Sequence, residues 1–208
     1  MSKTLLVSYT PRHESNTAKL IDTFINSIKN KTEITHLDLV KSPPSLLLEE
    51  NLNGLLKRNF FDQELTETEN EVVKTADALT QQLLDSDRIV LAFPMFNFSM
   101  PATVKAWIDL VVQRDKTFVV TEEGEYQGLC HDKKGLILMT TGADYSLEPM
   151  IAMEHAGSLA MACLGFMGIE SDIISAQGLN QYEDKAEQIV MKTQQELESY
   201  LNTNMHWS

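Results

Sequence analysis

The sequence predicts an α/β fold in which five parallel strands form the middle layer of a three-layer α/β/α sandwich. Three observations carry this expectation. Apolar, β-favouring runs alternate with helix-like stretches from end to end. The run 88–93 (RIVLAF) is continuously hydrophobic, as a strand buried on both faces of a parallel sheet must be. No Gly/Pro/Ser-rich linker, internal repeat or shift of composition divides the 208 residues, a length that suits one domain over 1–208.

Taken in order, residues 3–9 (KTLLVSY) read as the first strand, and 16–30 as a helix whose apolar stripe is Ala18, Leu20, Ile21, Phe24, Ile25 and Ile28. Residues 33–39 (EITHLDL) form a weaker second strand. The stretch 42–65, with Pro43, Pro44 and the pair Phe60 and Phe61, is irregular and reads as an excursion over the sheet edge. Helical spacing returns over 66–84, where Thr66, Glu67, Thr68 and Glu69 place acidic groups at the positive end of the helix dipole. After the third strand at 88–93, a helix begins at Met100 or Pro101 and ends near Val112, with proline where a missing amide is tolerated. Residues 117–120 (TFVV) are a short extended piece, followed by the turn-rich insertion TEEGEYQGL. The fourth strand, 134–140 (KGLILMT), a turn at Gly142, a helix over 149–163, the fifth strand, 169–176 (IESDIISA), and a closing helix over 182–201 complete the pattern. Right-handed crossovers then put helices on both faces of the sheet.

Composition narrows the function. The formal charge is −13 and the acidic residues are spread along the chain, which repels polyanions and argues against DNA or RNA as a partner. It does not bar a small anionic cofactor, because backbone amides at a helix start hold one phosphate whatever the net charge. The start MSKTLLVSY lacks the pattern of a signal peptide, and the longest apolar stretch, 159–169, is too short to span a bilayer. A cytoplasmic protein with no membrane contact is expected. Cys130 and Cys163 show no CxxC spacing, and His13, His36, His131, His155 and His206 form no ligand pattern, so no metal site is predicted.

In open α/β sheets the ligand crevice lies outside the carboxyl ends of the strands, so the loops there are where chemistry is sought. The first, Ser8 to Thr17, is rich in hydroxyls and contains neither GxGxxG nor GxxxxGK[ST]. Thr10, Ser15, Asn16 and Thr17, with the amides opening the next helix, suit a monophosphate; Ser15 or Asn16 acting only as a helix cap is the plainer alternative. The second, Pro94, Met95, Phe96, Asn97 and Phe98, is aromatic and amide-bearing where solvent favours small polar groups. A flat heterocycle such as a flavin explains it, with Asn97 and backbone groups on the polar edge; alternatively Met95, Phe96 and Phe98 plug the end of the sheet. The third, Thr140, Thr141, Gly142, Ala143, Asp144 and Tyr145, has a glycine that frees the backbone to pass close to the ring's other edge.

On these residues the chain resembles the FMN-dependent NADH azoreductases, also called NADH:quinone oxidoreductases, of the flavodoxin-like fold. The likeness spans nearly the whole chain and is most specific in PMFNF at 94–98, VKAWIDLVV at 104–112, TFVVTEEGEYQGL at 117–129 and LGFMGI at 164–169. It implies FMN as cofactor, its phosphate held by Thr10, Ser15, Asn16 and Thr17. It implies that Pro94 to Phe98 frame the flavin and that Thr140 to Ala143 close its second side. It also implies a homodimer with the flavin near the subunit boundary. Many members have Tyr where this chain has Phe96, and Gly-Gly where it has Gly142 and Ala143.

The activity so implied is ping-pong: NADH or NADPH gives a hydride to flavin N5 and leaves, and a quinone or azo compound then takes two electrons. No protein group is nominated as a catalytic acid or base. Phe98 and Phe118 are candidate walls for planar substrates, and Tyr145 a candidate substrate contact or proton donor. Rival readings are a flavodoxin-type one-electron carrier and a regulatory flavin-binding module without turnover.

Overall fold

Residues 1–207 are described in the computed structural model. The chain runs β1 (Ser2–Ser8), α1 (Asn16–Ile28), β2 (Thr32–Asp38), α2 (Glu49–Leu56), a π-helical turn (Lys57–Phe61) and α3 (Glu67–Leu84). It continues through β3 (Arg88–Pro94), α4 (Ala102–Val111), β4 (Phe118–Val120), β5 (Tyr126–Gly128), β6 (Lys134–Thr140) and a 3-10 turn (Met150–Met153). The last elements are α5 (Gly157–Phe166), β7 (Glu170–Ala176), a second 3-10 turn (Glu183–Lys185) and α6 (Ala186–Thr203).

Five strands form one parallel sheet in the order β2-β1-β3-β6-β7, so the chain reverses its direction of travel between β1 and β3. The pleat sends alternate side chains to opposite faces. Leu6, Val90 and Leu136 meet Leu20 and Phe24 of α1 and Leu197 of α6 on one face. Leu5, Ile89, Leu91 and Ile137 meet Leu83 of α3, Trp107 of α4 and Leu164 of α5 on the other. Continuous apolar runs are what such double burial requires, and that is why the five predicted strands fall within one residue of the observed ones at each end.

Four local expectations change. The stretch 42–65 is not wholly irregular, because α2 and the π-helical turn lie within it. They pack against α3 and α4, through Leu55 against Val73, Ala76 and Leu110. Arg58 fastens them there by donating to Asp77 and Gln113 at 2.8 Å each. An eight-residue helix has too few turns for its periodicity to stand out, and this one takes its position from α3. The predicted helix over 149–163 is broken: the Glu154 carboxylate folds back to accept from the amides of Ala156, Gly157 and Ser158, so α5 starts afresh at Gly157. Pro101 is the residue before α4 rather than within it. The insertion TEEGEYQGL closes a hairpin, β4 pairing antiparallel with β5.

Elsewhere the reading stands. Thr66 caps α3 through a reciprocal pair of hydrogen bonds with Glu69, at 3.3 Å and 2.8 Å. The one cis peptide bond among the described residues is Glu148–Pro149.

Candidate flavin site

At the carboxyl edge, where the direction of travel reverses between β1 and β3, a cavity of about 180 Å³ opens. Its first wall is the start of α1. Ser15 has extended backbone and its Oγ accepts from the Ala18 amide at 3.3 Å, so it caps the helix while bordering the cavity. Asn16 and Thr17 follow in the first turn, whose amides have no acceptor within the helix and carry the positive end of its dipole. Thr17 is buried and its hydroxyl meets that of Thr140 across the cavity floor at 2.7 Å. Arg12 and Glu14 stand at the same mouth and oppose each other in charge. An anion here is therefore met by amides and hydroxyls more than by net charge.

The second wall is the aromatic turn. Phe96 and Ser99 exchange two backbone hydrogen bonds, at 3.0 and 3.1 Å, and between them Asn97 (φ 48°) and Phe98 (φ 71°) both lie in the left-handed region. That is the two-residue turn of a tight hairpin, natural for Asn and strained for a bulky ring. Phe98 is held there because its carbonyl accepts from the His155 amide at 3.0 Å and its ring meets Tyr145 edge-on at 6.5 Å. Phe96 makes the matching edge contact with Tyr9 at 6.2 Å. Phe96 and Phe98 remain 40% and 41% exposed, so they rim the crevice and do not plug the sheet.

The third wall is the loop after β6, tethered where Met95 donates to the Thr140 carbonyl and Thr141 to that of Ala176. Hydrogen bonds from the hydroxyl and amide of Ser146 hold the Asp144 carboxyl below the usual carboxylate range and stiffen this loop. Gly142 serves differently from what its sequence suggested, by leaving space beside the Asn180 side chain. Its φ is not among the positive ones; instead a Cβ there would sit 2.8 Å from Asn180 Nδ2.

Of the residues singled out from sequence, Ser15, Asn16, Thr17, Pro94, Met95, Phe96, Thr140, Thr141 and Gly142 line this one cavity. Thr10, Asn97, Phe98, Ala143 and Tyr145 stand beside it on the same loops. Phe118 does not reach it: its ring packs against Tyr126 at 6.0 Å and Phe166 at 5.0 Å, below the hairpin β4–β5. Leu179 and Asn180 line the cavity without having been foreseen. Their signal was available as a fourth loop following a strand at the same edge, containing Gly178.

The model of the flavodoxin-like fold matches residues 2–201 of this chain. The chain belongs to that family. Among its relatives, an FMN-dependent NADH:quinone oxidoreductase 2 of Bacillus cereus (strain ZK / E33L) is 37% identical over 196 residues, 91% of this chain and 93% of the relative. FMN-dependent NADH:quinone oxidoreductase 1 of Idiomarina loihiensis is 35% identical over 190 residues, 89% of this chain and 92% of the relative. The crystal structure of an azoreductase from Bacillus anthracis str. Sterne superposes with a TM-score of 0.91 at 31% identity, covering 98% of this chain and 100% of that one. In this family, then, the cavity lies at the crevice between the first and third strands, the place where the fold class holds FMN. No helix among the described residues is long and apolar enough to cross a membrane.

Proposed function

We propose that this chain is an FMN-dependent oxidoreductase that uses NADH, or NADPH, for the two-electron, ping-pong reduction of quinones and azo compounds. The observation that carries the reading is the union, in one crevice, of a helix start able to hold a monophosphate with a turn that exposes two aromatic rings. The donor set fits FMN: neutral amides and hydroxyls at α1 for the phosphate, and carboxamide and backbone groups near Asn97 for a polar ring edge. When bound, FMN supplies the two-electron chemistry that links nicotinamide oxidation to reduction of the acceptor.

The protein's share is placement. Thr10, Ser15, Asn16 and Thr17 hold the phosphate; Pro94 to Phe98 and Thr140 to Ala143 frame the ring. Phe98 and Tyr145, already in edge contact, exclude water from the open face and orient planar substrates there in turn. Tyr145 is the candidate to touch substrate or to hand a proton to the reduced acceptor. The test is anaerobic rapid mixing of FMN-loaded protein with NADH and then benzoquinone. Full bleaching of the flavin colour followed by full recovery is expected. Reoxidation that needs a protein partner assigns the chain to the one-electron carriers instead.

Residues 1–208 act as one FMN-binding unit, in the cytoplasm, and as a homodimer. Supporting the dimer, Phe166, Met161, Met153 and Ile151 are exposed on or just before α5, and Tyr126 on the hairpin is 67% exposed. The hairpin is seated by Gly128, where a Cβ would lie 2.3 Å from the backbone nitrogen of Gly168. Gly128→Val is expected to lift the hairpin and weaken association at least about tenfold, at an overpacking cost of up to about 3 kcal/mol. Sedimentation reads the mass; a variant still dimeric at wild-type concentrations takes the hairpin out of the interface.

Glu14 also opposes the phosphate. It is a non-glycine residue at φ 55°, on the cavity lining. Glu14→Gly is expected to tighten FMN several-fold and raise Tm slightly, since it relieves about 1 kcal/mol of backbone strain and removes a negative charge. An FMN titration that leaves the affinity unchanged would put Glu14 outside the phosphate's reach.

A further inference from the structure

The loop after β7 splints the loop after β6. Gly178, Leu179, Asn180 and Gln181 donate their amides to the carbonyls of Ala143, Thr141, Gly142 and Gly142, at 3.0, 3.0, 2.9 and 2.9 Å. The side-chain carbonyls of Gln181 and Gln177 add two more bonds, accepting from the amides of Asp144 and Tyr145 at 2.9 and 2.8 Å. Tyr182 completes the splint through its hydroxyl, which accepts from Gln181 at 3.0 Å. Backbone placement of Asn180 is thus over-determined.

Its side chain is not so used. The Asn180 carboxamide is exposed at the rim and has no hydrogen-bond partner among the described residues, whereas its neighbours Gln177, Gln181 and Tyr182 all have one. It lines the cavity, and it lies where a Cβ at position 142 would otherwise project. The glycine therefore leaves room for this amide at the rim of the crevice.

We infer that Asn180 is a cofactor-contacting residue, a fourth-loop donor to FMN that Gly142 makes room for. The inference rests on the flavin reading above and deepens it. A carboxamide offers both a donor and an acceptor to the polar parts of a flavin. Six hydrogen bonds of its loop already hold the backbone in place, so only side-chain freedom is lost when it does so. Sequence reasoning had no means to find the pairing, since residues 142 and 180 meet only because β6 and β7 are neighbours in the sheet.

The test is an FMN titration of apoprotein, followed by quenching of flavin fluorescence, for wild type, Asn180→Ala, Gly142→Ala and the double variant, with Tm measured for each. Asn180→Ala is expected to weaken FMN about tenfold, the usual worth of one hydrogen bond, with Tm unchanged. Gly142→Ala alone is expected to weaken it similarly by displacing the amide, and to add nothing in the Asn180→Ala background. If Asn180→Ala binds FMN like wild type, or changes only the KM for NADH or quinone, the inference is overturned. A full additive cost of Gly142→Ala in the double variant overturns the pairing. Wild-type protein that fails to bind FMN defeats the flavin reading itself, a distinct outcome.

Discussion

Ser15→Asp is expected to cut FMN affinity at least about a hundredfold while leaving riboflavin affinity and the fold nearly untouched. Asp is as good a helix cap as Ser and adds a charge that the start of α1 favours, so stability is kept. The same carboxylate faces the phosphate at the cavity wall that Ser15 now forms. Two unit charges about 4 Å apart repel by about 4 kcal/mol in surroundings of intermediate polarity, and screening leaves enough for the stated loss. Riboflavin has no phosphate and serves as the control. Equal losses for the two ligands would show that the phosphate does not sit at α1.

Trp207→Ala is expected to lower Tm by about 10 °C with FMN affinity unchanged. Trp207 is 1% exposed and meets Phe24 of α1 edge-on at 5.6 Å. Arg88, at the amino end of β3, lies over the ring, 5.5 Å from its centre. Removing a buried Trp leaves a cavity worth about 3–5 kcal/mol, and each kcal/mol moves Tm by about 2–4 °C in a chain of this size. Arg88 Nη1 is buried with no hydrogen-bond partner, so the lost ring also leaves that cation less compensated. The cofactor crevice is at the opposite edge of the sheet and should not sense the change. Thermal unfolding and an FMN titration decide both halves; an unaltered Tm removes the tail from the account of stability.

Much of this was legible before any coordinates. Runs such as RIVLAF and KGLILMT carry their burial in their composition, and Thr66 with Glu69 states where α3 begins. The hydroxyls of loop one and the aromatics of loop two are local features with local reasons, so their place at one sheet edge followed from the order of strands. What the pattern hid was a side chain folding back on its own turn, or a neighbour far along the chain. The helix over 149–163 looked continuous because α5 is apolar all round, which hid the cap made by Glu154. Phe118, an aromatic like Phe98, gave no sign that within the chain Tyr126 and Phe166 would surround it.

Sequence alone determined the layers, the five strands of the central sheet and the hydroxyl and aromatic make-up of the crevice loops, because double burial and helix starts are written in neighbouring residues. Only the tertiary structure decided that Asn180 reaches Gly142, that Trp207 closes on Phe24 and Arg88, and that α2 rides on α3. Those contacts join residues tens to hundreds of positions apart. Their energy exists only once the sheet has set its register, and no local pattern encodes it.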